Sequence, residues 1–534
     1  MNSLLKQKLP NSRKNPFFLY LFLIITLGIG IRIWYFPFDI PIASDGYFSF
    51  VYAAKIVFEE GLPIGYTTTN TGWSYFLALI FSISDNTEPF QLMTIQRSMS
   101  IIISCITIIP IYYLLIKFVN KNLALLGCLL FILEPRLLLI SLDGINFTLF
   151  LFLFVTSITL FLKKTNLSII LSFVCVAIMS LVRYEGILLL ISFSVMYIVF
   201  NKKNKDYLKL IGLISLVMII LVPVSIIRMD ATNDLCYNSI FGEICGRDGI
   251  FDNLIHRATS VNDKIIGIPD IDDPIYNKNE SMFGHFLIMG FYGLLKFLIL
   301  LSLPFFFIFI GLSIFRIKKK KFSIKSEYLF LIISTITVLL PAIYAYGRGI
   351  EDYRYVLVVV PILTVFSVKI MNSVPKFEKV KKEFVILGLI IILITIGYIE
   401  YQKIDYQLHR ETFEVSKKVN ELTDTINSYQ YSGYIKSAKL LDEWPKLPNS
   451  DPLRSGKLEM VDKKIPTTDF KNIHDFIRES REDNLQYIVE YSEDEFFNDL
   501  RENPVDFEYL EKIFDSKELG FKNEFRIYKI NIRD

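Results

Sequence analysis

The sequence predicts a polytopic α-helical membrane protein, with about eleven transmembrane helices followed by a small C-terminal α/β soluble domain. Of its 534 residues 52% are hydrophobic, and the mean hydropathy of +0.42 is well above that of soluble proteins. Apolar stretches of spanning length recur along residues 17–400. Lysine and arginine cluster in short runs between these stretches, as they do in cytoplasmic loops.

The first predicted helix, about residues 17–36, leads out of the cytoplasm, because residues 1–16 before it carry several cations. An outer loop at 37–96 follows. Its apolar stretch at 73–84 is too short to span the bilayer, so it is predicted to be an interfacial helix.

The remaining helices alternate across the membrane, and every lysine-rich turn between them falls on one side. They are predicted at about 97–117, 122–140, 147–162, 167–182, 186–200, 208–227, 294–315, 328–346, 353–371 and 384–400. A second outer loop at 228–293 interrupts the series. The pattern predicts a multi-pass protein of the plasma membrane, with a cytoplasmic N-terminus and an extracytoplasmic domain at 401–534.

That C-terminal domain has the composition of a soluble α/β domain. Residues 485–491 and 524–531 are predicted strands, and the stretch between them is predicted to form one or two helices. The domain contains no glycine-rich phosphate loop and no Cys/His metal cluster, so its sequence indicates no chemistry of its own.

The five cysteines are too few for a disulfide framework. Cys105, Cys128 and Cys175 lie in apolar stretches and are predicted to be packing residues. Cys236 and Cys245 lie in the second outer loop, and they can form a disulfide if that loop faces an oxidising compartment.

Asp45, which Tyr47 follows closely, begins the segment after the first helix and has two interpretations. An aspartate before a helical stretch commonly caps free N–H groups. Alternatively, a carboxylate at the membrane surface is a candidate general base. The residue alone favours the cap.

Several arginines are predicted on the outer side, where the topology disfavours isolated cations. Arg97 begins the second helix, and Arg183 and Glu185 interrupt an apolar stretch. Arg183 is interpreted either as a structural partner of Glu185 or Asp143, or as a residue that binds an anion. Arg348 and Arg354 form another cluster; the alternative to phosphate binding there is an interfacial ion pair.

The order of these features resembles the C-type glycosyltransferases that use polyprenyl-phosphate sugars, especially the protein O-mannosyltransferase and aminoarabinose-transferase branch. The resemblance covers about residues 17–400. It rests on Asp45, the interfacial helix before Arg97, Glu134-Pro135 before Asp143, the Arg183–Gly186 hairpin, and Arg348 with Arg354-Tyr355.

The resemblance implies that Asp45 is the catalytic base. It implies that Arg97, Arg183, Glu185, Arg348, Arg354 and Tyr355 bind the lipid phosphate and the substrate, with Asp143 and Tyr47 in support. The family often has two adjacent acidic residues at this position, whereas here Asp45 is followed by Gly46. This difference leaves the identities of the sugar and the acceptor undefined. The residues define no required cofactor, and whether Asp45 and Asp143 share a divalent cation stays open.

The function expected from this resemblance is transfer of a monosaccharide from a polyprenyl (dolichyl) phosphate to a hydroxyl acceptor, with inversion. The partners expected are the lipid bilayer, the lipid-linked sugar donor and a protein, glycan or lipid acceptor. Nearly balanced charge, with 57 Lys+Arg against 54 Asp+Glu, implies no nucleic-acid partner. The alternative is a transporter or flippase for a lipid-linked or anionic solute.

Overall fold

The computed structural model describes residues 16–58, 71–84, 87–201, 207–232, 287–302, 326–347, 352–373, 382–422, 425–427, 433–443, 464–465, 467, 470, 472–480 and 484–531. The helices of the membrane part are α1 (Pro16–Trp34), α2 (Ser44–Phe58), α3 (Gly72–Ile83), α4 (Pro89–Ile106), α5 (Ile108–Leu115), α6 (Lys121–Ile132), α7 (Pro135–Ile140), α8 (Phe147–Lys163), α9 (Asn166–Val182), α10 (Leu189–Phe200), α11 (Tyr207–Thr232), α12 (Leu287–Ser302), α13 (Ser326–Gly347), α14 (Val360–Ser373) and α15 (Lys382–Gln402).

The C-terminal part mixes helices and strands. Its elements are α16 (Tyr406–Asn420), β1 (Thr425–Asn427), α17 (Tyr434–Glu443), β2 (Lys464–Ile465), α18 (Ile473–Glu479), β3 (Leu485–Tyr491), α19 (Asn498–Glu502), β4 (Leu510–Asp515) and β5 (Phe525–Ile530).

Five helical segments in the described part of the chain are long and apolar enough to cross a membrane. They are Phe17–Trp34, Pro89–Leu115, Tyr207–Ile227, Ser326–Gly347 and Tyr353–Ile370. Shorter apolar helices, such as α8 and α9, pack between them around one continuous hydrophobic core. The total of about eleven spans stays a prediction.

The structure differs from the prediction in two ways in and just after the first predicted outer loop. The loop contains α2, which the sequence interpretation missed because its polar residues prevent it from resembling a span. The apolar face of α2 packs on α3, with Phe50 against Phe81. The helix predicted to begin at Arg97 begins at Pro89, whose fixed φ suits the first turn of a helix.

The helix predicted at 122–140 is broken into α6 and α7. Proline at position 135 lacks an N–H, and the residue before a proline avoids the helical conformation. Glu134 accordingly has ψ 120°, and its side chain caps α7 by accepting a hydrogen bond from the Leu137 N–H at 2.6 Å. The break starts a short helix that leads to Asp143.

A mixed five-stranded sheet forms the centre of the C-terminal part, in the order β2-β1-β3-β5-β4. β1, β2 and β3 are parallel, and β5 runs antiparallel to both β3 and β4. Alternate residues of β3 face two clusters, Val489 towards α16 and Ile488 towards α18. The stretch predicted as helical thus also contains β4, which pairs with β5.

The C-terminal part contacts the segment between α1 and α2 directly. Ile40 packs with Phe413, Tyr434 and Ala438 in a small buried cluster. The Ser437 hydroxyl donates a hydrogen bond to the Ile42 carbonyl, and this bond is buried. These contacts bring α16 and α17 over the ends of the membrane helices that lie next to this segment.

Candidate functional site

A cavity of about 600 Å³ lies where the ends of the membrane helices meet α16 and α17. The start of α2 contributes Asp45, and α7 with the turn after it contributes Arg136 and Asp143. Asp352 and Arg354 line the cavity from the segment before α14. The volume is that of a small-molecule site, and charged groups of both signs line it.

Asp45 is in the first turn of α2, and its carboxylate is bound by an arginine. Arg354 Nη1 donates to Asp45 Oδ2, while Arg354 Nε donates to Asp352 Oδ2. The Asp45 side chain is 63% exposed and caps no backbone N–H within the described residues. The described contacts therefore give the helix-cap interpretation no support, and the largely exposed carboxylate lines the cavity.

Asp143 lies in the tight turn between α7 and α8, facing the same cavity. Gly144 follows it with φ +69°, a left-handed conformation that glycine adopts without strain. Its carbonyl accepts hydrogen bonds from Trp73 Nε1 at 3.0 Å and Gln96 Nε2 at 2.7 Å. Gln96 Nε2 also donates to the Gly46 carbonyl at 2.9 Å, which ties the Asp45 and Asp143 segments together.

The surroundings of Asp143 change its acidity. Desolvation raises the pKa of its carboxyl to about 6, although Arg97 and Arg354 oppose that effect. Asp352 and Asp45 add to the increase through charge repulsion. Asp143 is therefore partly protonated just below neutral pH.

Arg97 is largely occupied by the backbone of the segment after α1. Its Nη1 donates to the carbonyls of Pro37 and Ile40, and its Nη2 donates to that of Pro41 at 3.0 Å. The side chain also lines the cavity. This geometry makes Arg97 a residue that shapes the loop, and phosphate binding by it stays a prediction.

The Arg183 guanidinium is paired with Glu185, at 2.6 Å between Nη2 and Oε1. Both side chains are buried, and the guanidinium also lies 5.6 Å from the Tyr355 ring centre. None of these three residues lines the cavity. Tyr47 is likewise buried, in the cluster between α2 and α3. The geometry matches the structural-pair interpretation of Arg183.

Sequence reasoning missed Arg136, which lines the cavity from the first turn of α7. Its guanidinium carbon lies 4.7 Å from the Tyr353 ring centre, and Nη1 lies 3.7 Å from Glu134 Oε1. One sequence feature could have indicated this residue: it is an arginine directly after Glu134-Pro135, where the predicted helix breaks.

The C-terminal part contributes Lys403, His409 and Tyr434 to the cavity wall, none of which was predicted. His409 Nδ1 and the Tyr434 hydroxyl are hydrogen-bonded at 2.9 Å. Burial lowers the pKa of His409, with Asp405 opposing, so the imidazole is neutral at pH 7. No sequence motif marks these residues, because the chain folds back over 350 residues to bring them near Asp45.

Three predicted residues, Arg348, Cys236 and Cys245, lie outside the described residues. Cys105 and Cys128 are buried and unpaired, and Cys175 is half-buried and unpaired. The described part of the chain has no group of three or more His, Cys, Asp or Glu that could hold a metal ion.

A family model described as dolichyl-phosphate-mannose-protein mannosyltransferase matches residues 72–227, which run from α3 into α11. This segment contains Arg97, Arg136 and Asp143. A comparison with curated proteins gave no match.

Among solved structures, the chain is similar to ArnT from Cupriavidus metallidurans bound to undecaprenyl phosphate. The TM-score is 0.53 at 9% identity, over 96% of this chain and 98% of that one. It is also similar to the Archaeoglobus fulgidus oligosaccharyltransferase tethered to an acceptor peptide, with a TM-score of 0.49 at 13% identity, over 90% and 69% of the two chains. The family match and the fold of ArnT confirm the resemblance to C-type glycosyltransferases.

Proposed function

We propose that this protein is a membrane glycosyltransferase that moves a monosaccharide from a polyprenyl phosphate carrier to a hydroxyl acceptor. The observation that carries the proposal is one cavity at the ends of apolar helices that is lined both by a largely exposed carboxylate, Asp45, and by arginine side chains. A lipid-linked donor needs a polar cavity at the ends of apolar helices, because its lipid tail stays in the bilayer while its phosphate and sugar contact polar groups.

In the proposed reaction, Asp45 accepts the proton of the acceptor hydroxyl through the oxygen that Arg354 does not hold. The acceptor oxygen forms a bond to the anomeric carbon from the side opposite the phosphate. The bond between that carbon and the phosphate oxygen breaks, so polyprenyl phosphate leaves with the electron pair. Arginines of the cavity, including Arg354, stabilise its negative charge. Attack from the opposite side inverts the anomeric configuration.

The proposal places this site on the extracytoplasmic side of a plasma membrane, with the N-terminus in the cytoplasm. Support comes from the lysine-rich turns, which fall on one side of the predicted topology. The undecaprenyl phosphate bound to ArnT makes a polyprenyl phosphate the first carrier to test.

The test uses purified full-length protein in nanodiscs with a panel of polyprenyl-phosphate monosaccharides and hydroxyl acceptors. Release of polyprenyl phosphate is measured for the wild type, Asp45→Asn and Asp39→Asn. Asp39 is a matched control, because it lies in the same outer segment, pairs with Arg410 and does not line the cavity.

The proposal expects turnover by the wild type and by Asp39→Asn, with a loss of about 10²–10⁴-fold in Asp45→Asn, the range for removal of a general base. Full turnover in Asp45→Asn would remove this residue from the mechanism. A wild type that binds lipid-linked sugars and moves them across the bilayer without cleavage would favour the transporter alternative.

A further inference from the structure

The cations of the cavity wall differ in how many of their hydrogen-bond donors are already used. Lys403 Nζ pairs with Glu400 at 2.8 Å, and Arg354 binds two carboxylates, those of Asp45 and Asp352. Arg97 donates to three backbone carbonyls. These three side chains are largely satisfied by the protein.

Arg136 is different, because its guanidinium makes no hydrogen bond to the described residues. Nε and Nη1 are both buried and without a hydrogen-bond partner, and the side chain is only 11% exposed. Its nearest carboxylate oxygen, Glu134 Oε1, is 3.7 Å away, beyond hydrogen-bonding distance. The other Glu134 oxygen is used to cap α7.

Such an arrangement costs free energy unless something in the cavity compensates for it. A buried donor without a partner costs about 1–3 kcal/mol, and more when the group is charged. Buried polar groups are therefore nearly always satisfied, and an unsatisfied one calls for an explanation such as a catalytic role or a bound water or ion. Pro135 and the Glu134 cap fix the backbone beside Arg136, and the Tyr353 ring packs against its guanidinium.

We propose that Arg136 binds the phosphate group of the ligand in this cavity, while Arg354 holds the Asp45 and Asp352 carboxylates. A guanidinium presents N–H donors in a planar fork that matches two oxygens of a tetrahedral phosphate. For a lipid-linked phosphate this inference rests on the proposed function. It assigns the main phosphate contact to Arg136. The resemblance had implied this role for Arg97, Arg183, Arg348 and Arg354 instead.

The experiment measures binding of undecaprenyl phosphate and of inorganic phosphate to full-length protein in nanodiscs. The variants are Arg136→Gln and Arg136→Lys, with Arg478→Gln as the matched control. Arg478 is exposed on α18, pairs with Asp475 and does not line the cavity. If Arg136→Gln does not fold with Glu134 left buried beside it, the double variant Glu134→Gln/Arg136→Gln replaces it, with Glu134→Gln as its reference.

We expect Arg136→Gln to weaken undecaprenyl phosphate binding by about 10–100-fold, from the loss of charge-assisted hydrogen bonds. Arg136→Lys should lose less affinity, because it keeps the positive charge but lacks the planar pair of N–H donors. Arg478→Gln should bind as the wild type does. Equal weakening for inorganic phosphate would identify the phosphate group alone as the ligand. Weakening for the lipid only would identify the lipid headgroup.

The experiment distinguishes failure of the Arg136 inference from failure of the proposed function. Unchanged affinity in Arg136→Gln, or a wild type that binds neither phosphate, would overturn the inference even if sugar transfer is observed. If phosphate binding depends on Arg136 but the protein transfers no sugar, the phosphate site is supported and the proposed glycosyltransferase function is refuted.

Discussion

At the scale of single residues, the cavity contains two carboxylates in unlike surroundings. Asp45 is bound by Arg354, whereas Asp143 accepts no hydrogen bond from the described residues and has its pKa raised to about 6. The proposed mechanism takes Asp45 as the base because its largely exposed carboxylate lines the cavity and is held by Arg354. Asp143 instead adds a carboxyl group whose charge changes between pH 5 and 7.

We predict that Asp143→Asn stabilises the unliganded protein at pH 7. The folded pKa lies above the ordinary value, so the folded state favours the protonated carboxyl. This contribution is fully present below pH 4 and is lost as the pH rises through 6. Because the carboxyl faces an open cavity, screening limits the effect to about 1 kcal/mol.

Thermal unfolding of both proteins between pH 4 and pH 8 tests this prediction. The melting temperature of the wild type should fall relative to that of Asp143→Asn as the pH rises, and the two should agree near pH 4. A constant difference across the whole range would show that Asp143 does not titrate in this way.

The partners of the arginines were not readable from the sequence. The positive-inside rule identified Arg97 as unusual, the interruption of an apolar stretch identified Arg183, and both are buried. The sequence did not show that Arg97 binds carbonyls of residues 37–41, because that contact spans some 60 positions. The Arg183–Glu185 pair was open to sequence reasoning because the two residues are neighbours, and it was one of the two interpretations.

At the scale of elements, two short features position the site: the break at Glu134-Pro135 and the turn at Gly144. The break was readable in principle, since proline disrupts a helix and the glutamate before it can cap the next one. The turn was not, because its geometry depends on hydrogen bonds from Trp73 and Gln96, which lie 71 and 48 positions away. Helix α2 was missed because its polar residues prevent it from resembling a span, and its burial comes from packing on α3.

We predict that Gly144→Ala destabilises the protein more than Gly520→Ala does. Both glycines have positive φ, at +69° and +74°, so each substitution costs about 1–2 kcal/mol for the left-handed backbone. A Cβ at Gly144 would also lie 3.1 Å from Ile42 Cδ1 and 3.3 Å from Arg97 Cγ, whereas one at Gly520 would meet nothing within 4 Å.

Thermal unfolding and turnover of the two variants provide the comparison. Gly144→Ala should also reduce turnover, because it displaces the turn that carries Asp143, while Gly520→Ala should not. Equal destabilisation, with full turnover in both, would show that the Gly144 turn does not constrain the site.

At the scale of the whole molecule, the C-terminal part forms one wall of the cavity and is held to the segment between α1 and α2. Apolar stretches in the sequence indicated where the membrane helices lie, and alternating residues indicated β3 and β5. The contact between the two parts was not predictable, because it depends on small buried surfaces such as Ala438 and on the fold of both partners.

We predict that Ala438→Arg separates the two parts, whereas Arg410→Ala leaves them joined. Ala438 is 2% exposed among Ile40, Phe413 and Tyr434, so a large charged side chain there would cost about 3 kcal/mol or more. The Arg410–Asp39 pair is half-exposed on both sides and should contribute less than about 1 kcal/mol.

Limited proteolysis of the chain between α15 and α17, together with turnover, measures this effect. Ala438→Arg should be cleaved faster and lose activity, while Arg410→Ala should resemble the wild type. Full activity in Ala438→Arg would show that the C-terminal wall of the cavity is dispensable.

The proposed mechanism places Asp45 in the chemical step on a phosphate-linked sugar, and a single-turnover experiment isolates that step. Enzyme in excess over a radiolabelled polyprenyl-phosphate sugar is mixed with saturating acceptor, and the rate of label transfer is followed for the wild type and Asp45→Asn. Both proteins should bind the donor, and Asp45→Asn should transfer the label about 10²–10⁴-fold more slowly than the wild type does. Equal transfer rates from equally bound donor would contradict this mechanism.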